Sequence, residues 1–337
     1  MLNLLGIDNP LELAVLIVGS FILAPVFGML YRGIDRKLVA RMQGRIGPPI
    51  IQPFRDIQKL LMKETIIPDG AIQWLFTAAP FIALIASALL LLYIPLFGRG
   101  ALLGGTGDAI LVLYLLIIPS LAFVLGGFAS SSPYATVGAQ REMVLMMSYE
   151  FPLAVVIVTL ASRIGLVTDA NPFMLATIAA NPIWNLVGPL GIVGALILVF
   201  TLIVVTIGEA AKVPFDIAEA ETEIAGGLLV EYSGRNLSLF YLADIIKAFA
   251  MVSLVVALFF PHNLSLLIGM GGGWAAGIVD ALFFLIKVFV VMFLSITLIR
   301  TAMARFKISQ VSYIYIIAMT LIALVGSILI GIDLLVF

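Results

Sequence analysis

The chain has no cysteine and a single histidine, His262, and only 11% of its 337 residues are charged. Without thiolates it offers no ligand set for an iron-sulfur cluster or a cysteine-based metal site, and one histidine excludes a bis-histidine haem. If electrons are involved, a partner carries them. Absence of thiols suits either redox compartment, so cysteine does not place the chain. The formal net charge of -1 argues neither for nor against a nucleic-acid partner. Missing too are the short alternating segments of a transmembrane β-barrel, a repeat at constant period, low-complexity tracts and any linker long enough to separate domains. The halves lack matching interrupted spans, which weakens a secondary-transporter reading.

What remains is overwhelmingly apolar. Sixty-three percent of the residues are hydrophobic and the mean hydropathy is +1.21, whereas soluble chains are about half apolar. The sequence therefore predicts an all-α integral membrane protein, residues 1–337 forming a single membrane domain. Apolar windows of roughly 20 residues give about eight transmembrane helices, near 11–31, 72–97, 109–129, 143–162, 187–207, 238–260, 275–299 and 311–335. The first run, from near Leu11, lacks a basic leader and a small-residue cleavage site, and reads as a retained helix. Pro25, Pro80, Pro119, Pro152 and Pro189 fall inside spans, where neighbouring helices make kinks tolerable.

Basic residues set the expected orientation. The connection after the first span holds Arg32, Arg36, Lys37, Arg41, Arg45, Arg55, Lys59 and Lys63, and later odd-numbered connections add Arg141, Lys212, Arg235, Arg300, Arg305 and Lys307. The opposite face has only Arg99 and Arg163. By the positive-inside rule, loops at about 32–71, 130–142, 208–237 and 300–310 are cytoplasmic, and both termini lie outside the cell membrane. Within the first loop, Phe54, Ile57, Leu60 and Leu61 recur at helical spacing among Arg55, Asp56, Lys59 and Lys63. They predict an amphipathic cytoplasmic helix, suited to anionic lipid or to docking a soluble partner beside the rigid Gly47-Pro48-Pro49 turn.

Carboxylates gather where an apolar chain can least accommodate them. Residues 208–234, GEAAKVPFDIAEAETEIAGGLLVEYSG, carry six acids against one lysine. If this stretch is helical, Asp216, Glu219 and Glu223 share a face and Glu221 points elsewhere. A solvated acidic face is the ordinary explanation of such a run, but apolar flanks and adjoining spans argue against full exposure. Close carboxylates in a low dielectric cannot all ionise cheaply, so some are driven toward neutral pKa values and can exchange protons. Glu142 sits near the start of the fourth span and Glu150 two turns deeper, where an acid is a functional candidate by default and a helix–helix hydrogen bond is the plainer alternative. Asp244 and Lys247, spaced for an i,i+3 pair, interrupt the sixth span; Asp280 and Lys287 interrupt the seventh. They serve as structural glue or as parts of a polar route.

The segments GIDRKLVARMQGRIGPPIIQPFRDIQKLLMKE, SPYATVGAQREMVLMMSYE, VPFDIAEAETEIAGGLLVEYSG and IRTAMARFKISQ, in this order and spacing, resemble the cytoplasmic loop motifs of the complex I heel-subunit family, the membrane subunit under the hydrophilic arm. The resemblance covers nearly the whole chain. Complex I members carry a longer insertion where this chain runs directly from Gly47-Pro48-Pro49 to Gln52-Pro53, and an EGE where it has Glu219-Ala220-Glu221. Gln140-Arg141-Glu142 also departs from their usual pattern. These features look like the counterpart in ferredoxin-linked membrane-bound nickel-iron hydrogenases and related sulfane or sulfur reductases, and weigh against a quinone site.

The resemblance implies an anchoring and coupling subunit without a cofactor of its own. Iron-sulfur clusters and a nickel-iron site would belong to hydrophilic partners, with small and antiporter-like membrane subunits alongside and ferredoxin as donor. It carries over a chain of coupling acids onto Asp35, Glu150, Glu209, Asp216, Glu219, Glu221, Glu223 and Glu231, to which the residues themselves add Glu142, Asp244, Lys247, Asp280 and Lys287. Arg36, Arg41, Arg45 and Arg141 would dock the arm or order these acids, with Arg55 and Arg235 beside them. Ser309 stands where the family often has an aspartate, so that position is not carried over. A quinone-reducing complex I subunit, or a stand-alone proton-coupled carrier, are the competing expectations.

Overall fold

Hydrocarbon offers backbone amides no partner, so each apolar run must satisfy its own hydrogen bonds as helix. The computed structural model describes residues 10–105, 107–269 and 273–336, with side chains from Val18 onward. Among the described residues the chain is helical and loop, with no strand. The long helices are α1 Pro10–Met42, α3 Gln73–Tyr93, α4 Asp108–Ala129, α5 Pro133–Gly165, α7 Pro189–Glu209, α9 Gly234–Phe259, α11 Trp274–Ala302 and α12 Ile308–Val336. Shorter ones are α2 Gln52–Met62, α6 Leu175–Ala180, α8 Glu221–Ile224 and α10 Leu264–Ile268. Among the described residues, seven helices are long and apolar enough to cross a membrane, all but α1 of the long set. The eighth expected span falls in α1, part of whose side chains lie outside the described residues.

The core is built around α9, the most enclosed helix, which packs against α1, α2, α3, α4, α7 and α11. Its Phe249, Met251, Leu254 and Phe259 are buried, while α3, α5, α7, α11 and α12 turn apolar residues such as Ile85, Phe151, Phe200, Ile286 and Ile328 outward. That pattern suits a bilayer, where outward apolar surface carries no penalty.

Helix ends depart from the windows for local reasons. α1 runs on to Met42, carrying the DRK segment as helix, and stops at Gly44, whose φ of +74° suits glycine. α5 begins at Pro133, ten residues before the expected span at 143, with proline in its first turn. Pro189 likewise opens α7 and kinks nothing, whereas Pro25, Pro80, Pro119 and Pro152 are internal. The expected amphipathic helix is α2, and Ile57 packs with Met29 of α1 and Ile245 of α9. Leu61 is 52% exposed, so it does not belong to that buried face.

Residues 210–220 form turns, with a single α-helical turn at 221–224 and a 3₁₀ turn at 227–229, so the shared face expected of Asp216, Glu219 and Glu223 is not formed. The loop instead folds down onto α5 and α3. Leu228 N donates to Ala218 O at 3.3 Å, and Tyr232 stacks on Phe76 with centroids 4.0 Å apart while its hydroxyl donates to Phe76 O. Two glycines make this approach possible. A Cβ at Gly138 would lie 2.7 Å from Leu228 N, and one at Gly227, where φ is +56°, would lie 1.9 Å from Ala218 O. The last loop joins it through Phe306 N donating to Pro214 O.

Gly138→Leu and Gly227→Val should each destabilise the protein by about 1–3 kcal/mol through overpacking and strain, whereas Gly19→Ala, with nothing within 4 Å of its added carbon, should be neutral. Thermal unfolding of the detergent-purified variants, with proteolysis across residues 210–233, checks this.

Candidate functional site

Ionisable side chains from α1, α5, α7, α9 and the acidic loop, with Ser120 of α4, converge at the loop end of the bundle. Lys247 of α9 is 5% exposed. Its Nζ lies 2.8 Å from Glu209 Oε1 at the end of α7 and donates to Ser120 Oγ on α4 at 2.5 Å. Neither Glu209 oxygen accepts a hydrogen bond of good geometry, so the contact is an ion pair without directional support. The Tyr149 hydroxyl stands 3.3 Å from Ser120 Oγ. One turn earlier on α9, Asp244 Oδ2 accepts from Arg32 at 2.9 Å and from Lys212 at 2.8 Å. The expected Asp244–Lys247 pair therefore does not form; each residue faces another helix, where an opposite charge is better placed than one turn along its own.

Three cavities meet here. An enclosed one of about 20 Å³, room for about one water, is lined by Glu142, Glu209, Glu219, Asp244 and Lys247. A second, of about 370 Å³ between α1, α2 and α9, is lined by Arg32, Arg36, Lys59, Lys63, Glu219 and Tyr241. A third, of about 50 Å³, is lined by Tyr31, Arg32, Asp35, Lys212 and Asp244 with apolar neighbours. Glu219 thus belongs to both the wide cavity and the enclosed one, while Asp244 belongs to the enclosed cavity and the one beside Asp35.

Glu142, Glu209, Glu219 and Asp244 line the enclosed cavity with Lys247; Lys212 and Arg32 pair with Asp244, and Arg36, Lys59 and Lys63 line the wider cavity that Glu219 also borders. Burial pushes Glu219 up to about 7, with Lys212 and Arg32 opposing and Asp244 and Glu142 adding to the rise. A loop carboxyl that titrates near neutrality between two cavities can accept and release a proton.

Other acids have dedicated partners. Asp216 receives a bidentate fork from Arg305, Nε at 2.8 Å and Nη2 at 2.5 Å, and that hydrogen bond raises the guanidinium pKa further. Glu223, exposed, pairs with Arg141 at 2.5 Å. Asp35, 5% exposed, accepts from Thr297 at 2.7 Å and Arg300 at 2.9 Å, and a π-turn over Phe293–Thr297 of α11 presents that hydroxyl. Glu150, Glu221 and Glu231 make no ion pair among the described residues, though Glu150 lies within electrostatic reach of Glu209 and Glu221 within that of Arg305. Asp280 and Lys287 do not pair either. Asp280 accepts from Ser265 N and Oγ, and Lys287 donates to the carbonyls of Phe260 and His262 at the opposite end of the bundle.

Of the basic set, Arg36 is held by Asp56 at 3.0 Å, whereas Arg41, Arg45, Arg55 and Arg235 are exposed. Sequence reading missed Ser120 and Tyr149, hidden as polar groups inside apolar spans. It counted Arg32 and Arg305 only as loop charge, although both bind buried or half-buried acids. It also passed over Asp333 in the last span, fully buried, accepting from Gly188 N and Gly191 N and 3.6 Å from Arg163. Among the described residues no group of three or more His, Cys, Asp or Glu is arranged to hold a metal.

The family model described as NADH dehydrogenase matches residues 13–331. The chain belongs to this NADH dehydrogenase family. Within the family, it is 34% identical over 300 residues to a subunit of the NADH-quinone oxidoreductase of Koribacter versatilis, covering 82% of this chain and 68% of the relative. It is 36% identical over 235 residues to hydrogenase-4 component C of Escherichia coli, covering 69% of this chain and 71% of that one. A chain in the structure of the membrane-bound sulfane sulfur reductase, an archaeal respiratory membrane complex, superposes with a TM-score of 0.79 at 27% identity, over 94% of this chain and 99% of that chain.

Lys247→Met should cost about 3–5 kcal/mol of stability, since it strands Glu209 as a buried unpaired charge; adding Glu209→Gln should recover much of it. Unfolding midpoints of the two variants decide this. The raised pKa of Glu219 has a definite sign. The folded protein holds this proton up to about pH 7, the unfolded chain releases it near 4.5, and stability from this group therefore falls as pH rises between those values. Glu219→Gln should flatten that part of the stability–pH curve.

Proposed function

We propose that the chain is the membrane anchoring and coupling subunit of a multisubunit respiratory oxidoreductase of the ferredoxin-linked, membrane-bound hydrogenase type. It links electron transfer in a hydrophilic arm to translocation of H⁺ or Na⁺. The observation that carries this reading is Glu219, a carboxyl titrating near neutrality that lines both an open cavity on the loop side and the enclosed cavity of Glu142, Glu209, Asp244 and Lys247. A change of charge above the loop would shift the proton shared by these acids, and the ion pairs behind them transmit the shift into the bundle.

In this reading the chain holds no redox centre, and the exposed Arg41, Arg45, Arg55 and Arg235 form a docking surface on the cytoplasmic face for a partner carrying iron-sulfur clusters and a nickel-iron site. Both termini face outward, and small and antiporter-like membrane subunits pack alongside. The likeness to hydrogenase-4 component C and to a sulfane sulfur reductase chain supports this branch. The second reading, quinone reduction, has the NADH-quinone oxidoreductase relatives in its favour, and the departures from the complex I pattern at Gly47-Pro48-Pro49 and Glu219-Ala220-Glu221 weigh against it.

In the purified complex reconstituted into vesicles, Glu219→Gln should lower ions moved per electron by at least about tenfold, or halt turnover, while subunit composition stays intact. Glu223→Gln, which also frees Arg141, should act in the same direction. Normal pumping and normal turnover in both variants would remove the acidic loop from the coupling route.

A further inference from the structure

The end of the bundle opposite the acidic loop carries a second pair of cavities that coupling does not use. One, of about 600 Å³, lies between α1, α3 and α11 and is walled by Leu23, Phe27, Leu91, Leu282 and Leu285. Beside it lies one of about 470 Å³ lined by His262, Asn263, Asn185 and Lys287 as well as apolar residues. Arg99 lines both. Its guanidinium makes no hydrogen bond or ion pair among the described residues, and no carboxylate lines either cavity. Asp280, which packs beside the neighbouring Gly98, is already occupied by Ser265.

The apolar cavity opens onto the surface that faces lipid, flanked by Ile22 at 59% and Ile278 at 52% exposure. Water would find too few polar partners there to fill it, and leaving it empty would forfeit the dispersion contacts of its walls. A hydrocarbon chain supplies them. An unpaired guanidinium at the mouth of such a groove is complementary to a phosphate, which it can bind through two parallel N–H donors. Trp274, 83% exposed on the rim, has the chemistry of the membrane–water interface. The apolar groove, the cation at its end and the polar chamber beyond match one amphiphile with a single negative centre.

We propose that this groove is a binding site for an anionic phospholipid, its phosphate on Arg99 beside His262 and one acyl chain along α1 and α11. Bound there, the lipid fastens α11 to α1 and α3 at the end of the bundle where, among the described residues, no ion pair links them.

The test uses the intact complex, extracted in mild detergent and analysed for tightly retained phospholipid by mass spectrometry. Arg99→Gln removes the phosphate contact, and Ala281→Phe fills the groove without touching Arg99. Wild type should retain one more anionic phospholipid per complex than either variant, with occupancy in the variants reduced at least about tenfold. Equal retention in all three would overturn the proposal. So would an Arg99-dependent phosphorus that proves to be inorganic phosphate, or a cross-link from Leu282→Cys, the only thiol in such a chain, to a helix of another subunit.

Discussion

A lysine ammonium sealed inside an apolar bundle must be matched by negative charge, and the loop end of this structure is organised around that requirement. Lys247 sits buried on the central helix, beside a cavity with room for about one water. Glu209 ends α7 at the height where it meets the ammonium, Ser120 reaches it from α4, and Glu142 lines the same small cavity from α5. Four helices are thereby held at a common level. The acidic loop follows from the same constraint: its glycines let it descend onto α5, bringing Glu219 beside the cavity.

Electrostatics divides the carboxylates into two kinds. Asp216, Glu223, Asp244 and Asp35 each face an arginine or lysine at hydrogen-bond distance and act as fixed charges. Glu142 and Glu219 have no such dedicated partner among the described residues. The fixed pairs give rigidity, and the unpaired carboxyl of Glu219, pushed up by burial, gives a proton a place to reside. Glu219 borders two cavities, and in the proposed function the residence of that proton would respond to what approaches the loop.

Much of the fold is legible from the apolar windows, since a membrane helix is specified by length and hydropathy alone, and the family resemblance carried the loop motifs in order. Partner choice is another matter. The i,i+3 spacing of Asp244 and Lys247 satisfies a rule for isolated helices, yet in a bundle each charge finds a closer opposite on another helix. The helical face expected of Asp216, Glu219 and Glu223 fails because the turn after Glu209, with Ala211 at a φ of +46°, and Pro214 keep residues 210–220 out of helix. Ser120 and Tyr149 leave almost no trace in sequence, as single hydroxyls in apolar spans are common. Pro189 shows the opposite error, a proline read as a kink that in fact opens a helix.

In the proposed function the cluster around Lys247 holds an exchangeable proton whose position would follow the redox state of a partner docked on the loop side. Infrared difference spectroscopy of the intact complex, recorded between its oxidised and reduced states, tests this directly. A protonated-carboxyl stretching band should change between the two states and be absent from the Glu219→Gln difference spectrum. A carboxyl region that stays silent while the partner centres are fully reduced and reoxidised would contradict it.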